Sequence, residues 1–160
     1  MAMLIGEYSH QLDAKYRFRI PAKLRKALGD GFIFAKGSDN CVFVFSKEQA
    51  EKELNRLEKI SIYDRKKQKS VRTFARGFEE AKEDSQGRIV LSPELRRHLL
   101  MAKGDSELFI CGAINRVEIW SKKVHDEYFA CDAEIGEVES ENESRSYDDL
   151  LEMLCGGEDE

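Results

Sequence analysis

Asp84-Ser-Gln-Gly-Arg88-Ile-Val-Leu91-Ser-Pro93-Glu-Leu95-Arg96-Arg97 is a second copy of Asp13-Ala-Lys-Tyr-Arg17-Phe-Arg-Ile20-Pro21-Ala-Lys-Leu24-Arg25-Lys26. At an offset of 71 the two stretches share the Asp, the Arg, an aliphatic residue, the Leu and a second Arg, and Gly6 falls on Gly77. Farther along the offset becomes 75: Gly29-Asp30 meets Gly104-Asp105, Gly37 meets Gly112, and Asn40 meets Asn115. The run from Val42 to Lys47 likewise meets the run from Val117 to Lys122, and four extra residues, Leu100 to Lys103, account for the change of offset. Missing a repeat of this kind misreads the whole fold. Here the repeat is the fold.

Each copy predicts the same elements in the same order. Leu4 to Leu12 reads as a strand, and Asp13 to Tyr16 as a turn, because an Asp side chain binds its own backbone two residues on. Arg17 to Ile20 is then a short strand returning beside the first as a hairpin. Pro21 suits a first helical position, where its missing donor costs nothing, and opens a helix that Gly29 stops. Leu24, Ala27 and Leu28 share one face of it, leaving Lys23 and Lys26 outward. Apolar runs at 32–35 and 41–45 predict a hairpin buried on both faces. Ser46 is placed to cap a helix carrying Ala50, Leu54 and Leu57. A further helix begins near Asp64, with Val71, Phe74, Ala75 and Phe78 on one stripe and Arg65, Lys69, Arg72 and Arg76 on another. The second copy repeats the scheme: a helix from Pro93, a hairpin at 108–111 and 117–120, and a helix capped by Ser121. The expected divisions are 1–62 for the first repeat, 63–76 for the connecting helix, 77–131 for the second repeat and 132–160 for a disordered tail.

Composition sets limits. The chain has 160 residues and a formal charge of −5, but the charge is unevenly spread. Residues 132–160 hold 12 acids and one base, Arg145, for −11, and the rest holds 25 bases against 19 acids, for +6. A basic body with an acidic tail suits a polyanionic partner. No apolar run approaches the roughly 18 residues of a membrane span, and no signal-peptide pattern opens the sequence. Cys41, Cys111, Cys131 and Cys155 show no Cys-x-x-Cys pairing and no histidine spacing that suggests zinc. Small buried hydrophobes in a reducing cytoplasm are the reading for Cys41 and Cys111. No nucleophile–base pair or phosphate-cradling glycine loop marks an enzyme. His10, His98 and His125 are isolated in sequence.

Asp-x-x-x-Arg, a short aliphatic strand, a proline and a basic helix together resemble the AbrB/SpoVT swapped-hairpin family of bacterial DNA-binding proteins. Two tandem copies, with Leu4-Ile5-Gly6-Glu7-Tyr8 before and Asn115-Arg-Val-Glu118-Ile-Trp120 near the end, closely resemble the MraZ family over residues 3–129. The resemblance implies an α+β fold in which two AbrB/SpoVT-like β-hairpin/helix units form a pseudo-two-fold swapped-hairpin barrel with flanking helices. It also implies a sequence-specific transcriptional repressor of the division and cell-wall gene cluster, binding double-stranded DNA at repeated promoter boxes. The partners expected are DNA and further copies of the chain in an octamer-like ring, in the cytoplasm at the nucleoid, with no cofactor, membrane or small-molecule substrate. The alternative is an antitoxin-like module that binds protein first and DNA second.

Arginine suits both guanine edges and phosphates because its planar fork donates two parallel hydrogen bonds, whereas lysine serves as a phosphate contact. By the resemblance Arg17 leads the DNA-binding set, followed by Lys15 and Arg19, with Lys23, Arg25 and Arg88 behind them. The first copy is the richer in bases, so Arg88 leans toward scaffolding. Asp13, Asp84, Gly87, Pro21 and Pro93 are motif and structural positions. The bland reading, in which each Asp caps its turn and pairs with its Arg with no further role, stays open. One departure stands out: the family places Gly before the motif Arg, as at Gly87, and this chain has Tyr16 in the first copy. A positive φ there costs a non-glycine residue roughly 1 kcal/mol, which stacking of the ring on DNA could offset.

Overall fold

The structure, a computed structural model, describes residues 3–138. Most of the segment expected to be disordered, 139–160, therefore lies outside the described residues. The chain divides into two units, Met1–His125 and Asp126–Glu160; the fold below is that of the first, except that its last helix runs on past His125.

The elements are β1 (Glu7–Gln11), β2 (Arg17–Phe18), α1 (Ala22–Leu28), β3 (Ile33–Lys36), β4 (Val42–Phe45), α2 (Lys47–Glu58) and α3 (Arg65–Arg76), followed by β5 (Glu79–Glu80), β6 (Ile89–Val90), α4 (Pro93–His98), β7 (Glu107–Gly112), β8 (Val117–Ser121) and α5 (Lys122–Val138). The class is α+β. All strand pairs are antiparallel, in a six-stranded sheet of order β1-β7-β8-β4-β3-β5 and a two-stranded ribbon, β2-β6.

This topology corrects the hairpin expected inside each first half-copy, which in the second copy is reduced to a single bridge, Glu83 to Ile89. β1 does not pair with β2. It pairs with β7 of the second copy, while β2 pairs with β6 and β5 pairs with β3. Any strand offers the same backbone donors and acceptors, so alternation alone cannot name a partner. Burial decides it. Crossing over brings Phe18 and Ile20 together with Ile89 and Leu91 in one core, each 6% exposed or less. The hairpins β3–β4 and β7–β8 form as expected.

The repeat explains the core. Leu24 and Leu95, Leu28 and Leu99, Val42 and Val117, and Val44 and Ile119 are equivalent pairs, and all eight side chains are buried in the same cluster. Equivalents also face one another across the strands. Phe18 is opposite Ile89 in the ribbon, and Phe43 is opposite Glu118 in the β4–β8 pair. A smaller cluster of Ala35, Phe45 and Ala50, packed by Phe43 and Phe78, seats the helical side.

Helix ends follow their residues. Ser46 accepts a hydrogen bond from Gln49 N, Asp64 from Lys67 N, Ser92 from Leu95 N and Ser121 from Val124 N, satisfying donors that helix starts leave open. Pro93 stands in the first turn of α4, but Pro21 lies one residue before α1, with ψ 139°. It is the counterpart of Ser92 rather than of Pro93. Leu54, expected on the apolar stripe of α2, is 39% exposed. α5 continues to Val138, seven residues past the boundary drawn at Cys131, because nothing between Asp132 and Val138 includes a proline to stop it. Among the described residues no helix is long and apolar enough to cross a membrane.

Candidate nucleic-acid interface

The two Asp-x-x-x-Arg turns are built alike. Asp13 Oδ1 accepts from the backbone N–H groups of Lys15 (2.8 Å) and Arg17 (2.9 Å), and Oδ2 accepts from Arg17 Nε at 2.7 Å. Asp84 Oδ1 accepts from the backbone of Gln86 (2.8 Å) and Arg88 (2.9 Å), and Oδ2 from Arg88 Nε at 2.8 Å. Each aspartate thus closes its turn and orients its arginine in one act. Nε is committed in both arginines, while neither terminal Nη pair has a hydrogen-bond partner among the described residues. A planar guanidinium held at Nε and presenting its Nη edge is prepared for a two-pronged acceptor.

The backbone N–H of Arg17 holds the Asp13 carboxyl below the usual aspartate range, with the Arg17 side chain adding to it. Arg88 does the same to Asp84. A depressed carboxylate pKa contributes stability that is fully present above the ordinary aspartate value and is lost as pH falls through the folded value. The melting-temperature gap between wild type and the Asp13→Asn/Asp84→Asn variant is therefore expected to be full near neutrality and to close below about pH 4. A gap that persists in acid would mean that the carboxylate charge is not its source.

Tyr16 occupies the positive-φ position of the first turn at φ 60°, where Gly87 has φ 76°. One face of its ring is covered from within the protein by the Arg96 guanidinium, 3.6 Å from the ring centroid, and the backbone carbonyl of Tyr16 accepts from Leu91 N. That face is already occupied by an internal cation, which stabilises such a contact by roughly 0.5–1 kcal/mol and offsets the strain. Tyr16→Ala keeps the strain and loses the contact, so it is expected to melt lowest. Tyr16→Gly should recover up to about 1 kcal/mol of that loss, less the extra unfolded-state entropy of glycine. Equal melting temperatures for the two variants would show that φ is unimportant there.

The sequence grouped Arg25 with the DNA-binding residues, and the geometry employs it otherwise. Arg25 Nε and Nη2 donate to Glu83 at 2.7–3.0 Å, Nη2 also donates to Asp30, and Nη1 donates to Gly29 O. Every nitrogen is engaged, and the Glu83 carboxylate pushes the guanidinium pKa further above its ordinary value. Arg25 ties α1 of the first copy to the segment before the second turn. Its equivalent, Arg96, crosses the other way onto Tyr16. Lys15, Arg19 and Lys23 are exposed, as are Arg65, Lys69, Arg72 and Arg76 along α3. Arg76 lines a shallow groove with Lys36, Glu94, Arg97 and His98.

His98, to which the sequence assigns nothing, is a clamp between copies. Its Nε2 lies 3.0 Å from Gly37 O and 2.9 Å from Cys41 O, and its own carbonyl accepts from Asn40 Nδ2. No pattern in the chain could show this, because two of the partners are backbone carbonyls 57 and 61 residues away.

A model of the family described as "MraZ protein, putative antitoxin-like" matches residues 3–72 and again 74–146, which falls on the two copies. Curated relatives named "Transcriptional regulator MraZ" include one from Thermoanaerobacter pseudethanolicus, 38% identical over 95% of this chain and 96% of its own length. Another, from Caldanaerobacter subterraneus subsp. tengcongensis, is 40% identical over 79% of this chain and 86% of its own. A third, from Lactobacillus delbrueckii subsp. bulgaricus, is 36% identical over 95% and 96%. Matching in both repeats and over nearly the full length of its relatives, this chain belongs to the MraZ family.

Proposed function

We propose that this chain is a sequence-specific DNA-binding transcriptional regulator, a repressor acting on the bacterial division and cell-wall gene cluster, and not an enzyme. The observation that carries the reading is the duplicated turn, in which Asp13 and Asp84 hold Arg17 and Arg88 by Nε with their Nη edges presented. Arg17 and Arg88 read guanine edges in the major groove, where N7 and O6 accept two parallel bonds. Lys15, Arg19 and Lys23 contact phosphates and set the register.

The proposed architecture is a pseudo-two-fold swapped-hairpin barrel of two AbrB/SpoVT-like units, 1–62 and 77–131, joined by 63–76 and followed by the acidic segment 132–160. Pairing of β1 with β7 and of β2 with β6, and the facing of Phe18 by its own equivalent, support it. Several copies in a ring would engage repeated promoter boxes at once. A weak contact per subunit then becomes tight through effective concentration.

The test is a gel shift with DNA from upstream of the chain's own gene against scrambled DNA of the same composition, across a salt series. Preferential retention of the upstream DNA, with the preference surviving added salt, is expected. Equal affinity for both would leave only the salt-dependent backbone term and favour the protein-binding, antitoxin-like alternative.

A further inference from the structure

We propose that Glu7, Cys111 and His125 form a zinc-binding site at the β1 edge of the sheet, separate from the turns assigned to DNA. Among the described residues this is the group whose potential ligand atoms come together, all within 4.8 Å of one another. Three elements bring them there. Glu7 and Cys111 are direct partners in the β1–β7 register, so their side chains share a face. His125 lies in the first turn of α5, and its ring stacks on Phe109 with centroids 3.9 Å apart and planes 15° from parallel. Phe109 precedes Cys111 by two residues and so shares that face. The stack orients the imidazole, whose Nε2 reaches Glu7 Oε1.

The donor set selects the metal. One sulfur, one imidazole nitrogen and one carboxylate oxygen form a mixed set suited to a borderline-soft ion, and not to calcium or magnesium, which take oxygen ligands. Zinc bonds of about 2.0–2.3 Å in a tetrahedron place neighbouring ligand atoms roughly 3.4–3.6 Å apart. Cys111 Sγ and Glu7 Oε1 already stand 3.5 Å apart. The Glu7–His125 contact, at 2.5 Å, opens by about 1 Å to admit the ion. Glu7 allows this, being 52% exposed, while His125, at 12%, stays in place. On binding, the Cys111 thiol releases its proton to solvent and the thiolate bonds the ion, with water as fourth ligand. The ion would clip the sheet's edge strand to β7 and to the start of α5, a staple that edge strands lack otherwise. Ligands separated by 104 and 118 residues in the chain leave no motif to find.

The experiment adds Co²⁺, a spectroscopic stand-in for zinc, to the reduced full-length protein. One Co²⁺ per chain with a thiolate-to-cobalt charge-transfer band and tetrahedral d–d bands, displaced by Zn²⁺, is expected. Cys111→Ser should abolish the charge-transfer band. Glu7→Gln and His125→Gln should weaken binding by roughly tenfold or more, while Cys41→Ser/Cys131→Ser/Cys155→Ser should leave the spectrum unchanged. Should Cys111→Ser fail to fold by circular dichroism, Glu7→Gln, at a more exposed position, makes the same distinction. Absence of the band at stoichiometric cobalt, or a band of full strength in the ligand variants, would overturn the proposal. Neither outcome bears on DNA binding, so the two readings fail separately.

Discussion

Arg17→Ala is expected to weaken binding to upstream DNA by about 5- to 150-fold per subunit contact, the equivalent of the roughly 1–3 kcal/mol that a bidentate arginine–guanine pair contributes. In a ring that holds several boxes the losses compound. Stability should change little, because the Arg17–Asp13 pair is partly exposed, at 24% and 39%, and ion pairs in contact with solvent contribute little. Arg88→Ala should cost the same stability, since its turn repeats the first to within 0.1 Å. It should cost less affinity, because Lys15 and Arg19 stand two residues either side of Arg17, where Arg88 has Gln86 and Val90. Arg25→Ala should behave in the opposite way, losing stability as it leaves the part-buried Glu83 carboxylate unpaired. Lys15→Ala should weaken all sequences alike and lower the salt slope by about 1. Binding measured by anisotropy beside thermal melts separates these outcomes. Equal affinities for the Arg17 and Arg88 variants would remove the asymmetry between the copies.

Gly112→Ala is expected to produce the largest loss of stability from a single methyl group. A Cβ there would lie 2.3 Å from Ile5 N, 2.4 Å from Leu4 C and 2.5 Å from Ile5 Cα. All three are backbone atoms, so no side chain can rotate away. The segment must move, and with it the bonds Gly112 N to Gly6 O (2.7 Å) and Ile114 N to Leu4 O (2.9 Å). Overpacking of this kind costs about 3 kcal/mol, on the order of 10 °C in melting temperature. Gly104 supplies the contrast. It has φ 94° with no atom within 4 Å of a built Cβ, so Gly104→Ala carries only the conformational cost of about 1 kcal/mol. Thermal melts of the two variants side by side check this, and similar losses would mean that the Leu4–Ile5 segment yields freely.

What the sequence determined by itself was chiefly what acts over a few residues, although Pro21 falls just outside α1 and Leu54 is exposed. Asp13 reaching Lys15 and Arg17, Ser46 capping α2, Asp64 capping α3 and Gly29 ending α1 are contacts across two to four positions, written in the residues concerned. The duplicated motif also marked the pairs Leu24/Leu95 and Val44/Ile119, whose burial follows from their recurrence. The partner of each strand was decided only in three dimensions. Hydrogen-bonding groups on the backbone are identical in every strand, and only the meeting of Phe18 and Ile20 with Ile89 and Leu91 selects the other copy. The same holds for the long side chains. Arg25 looked like a DNA contact because a basic helix is basic in any setting, yet Glu83, 58 residues away, takes its guanidinium. Tyr16 looked free to stack on a ligand until Arg96 was found above it. Glu7, Cys111 and His125 have no relation in sequence. Folding brings them together through the register of β1 with β7 and the turn into α5, because long-range geometry is set by which apolar faces share a core.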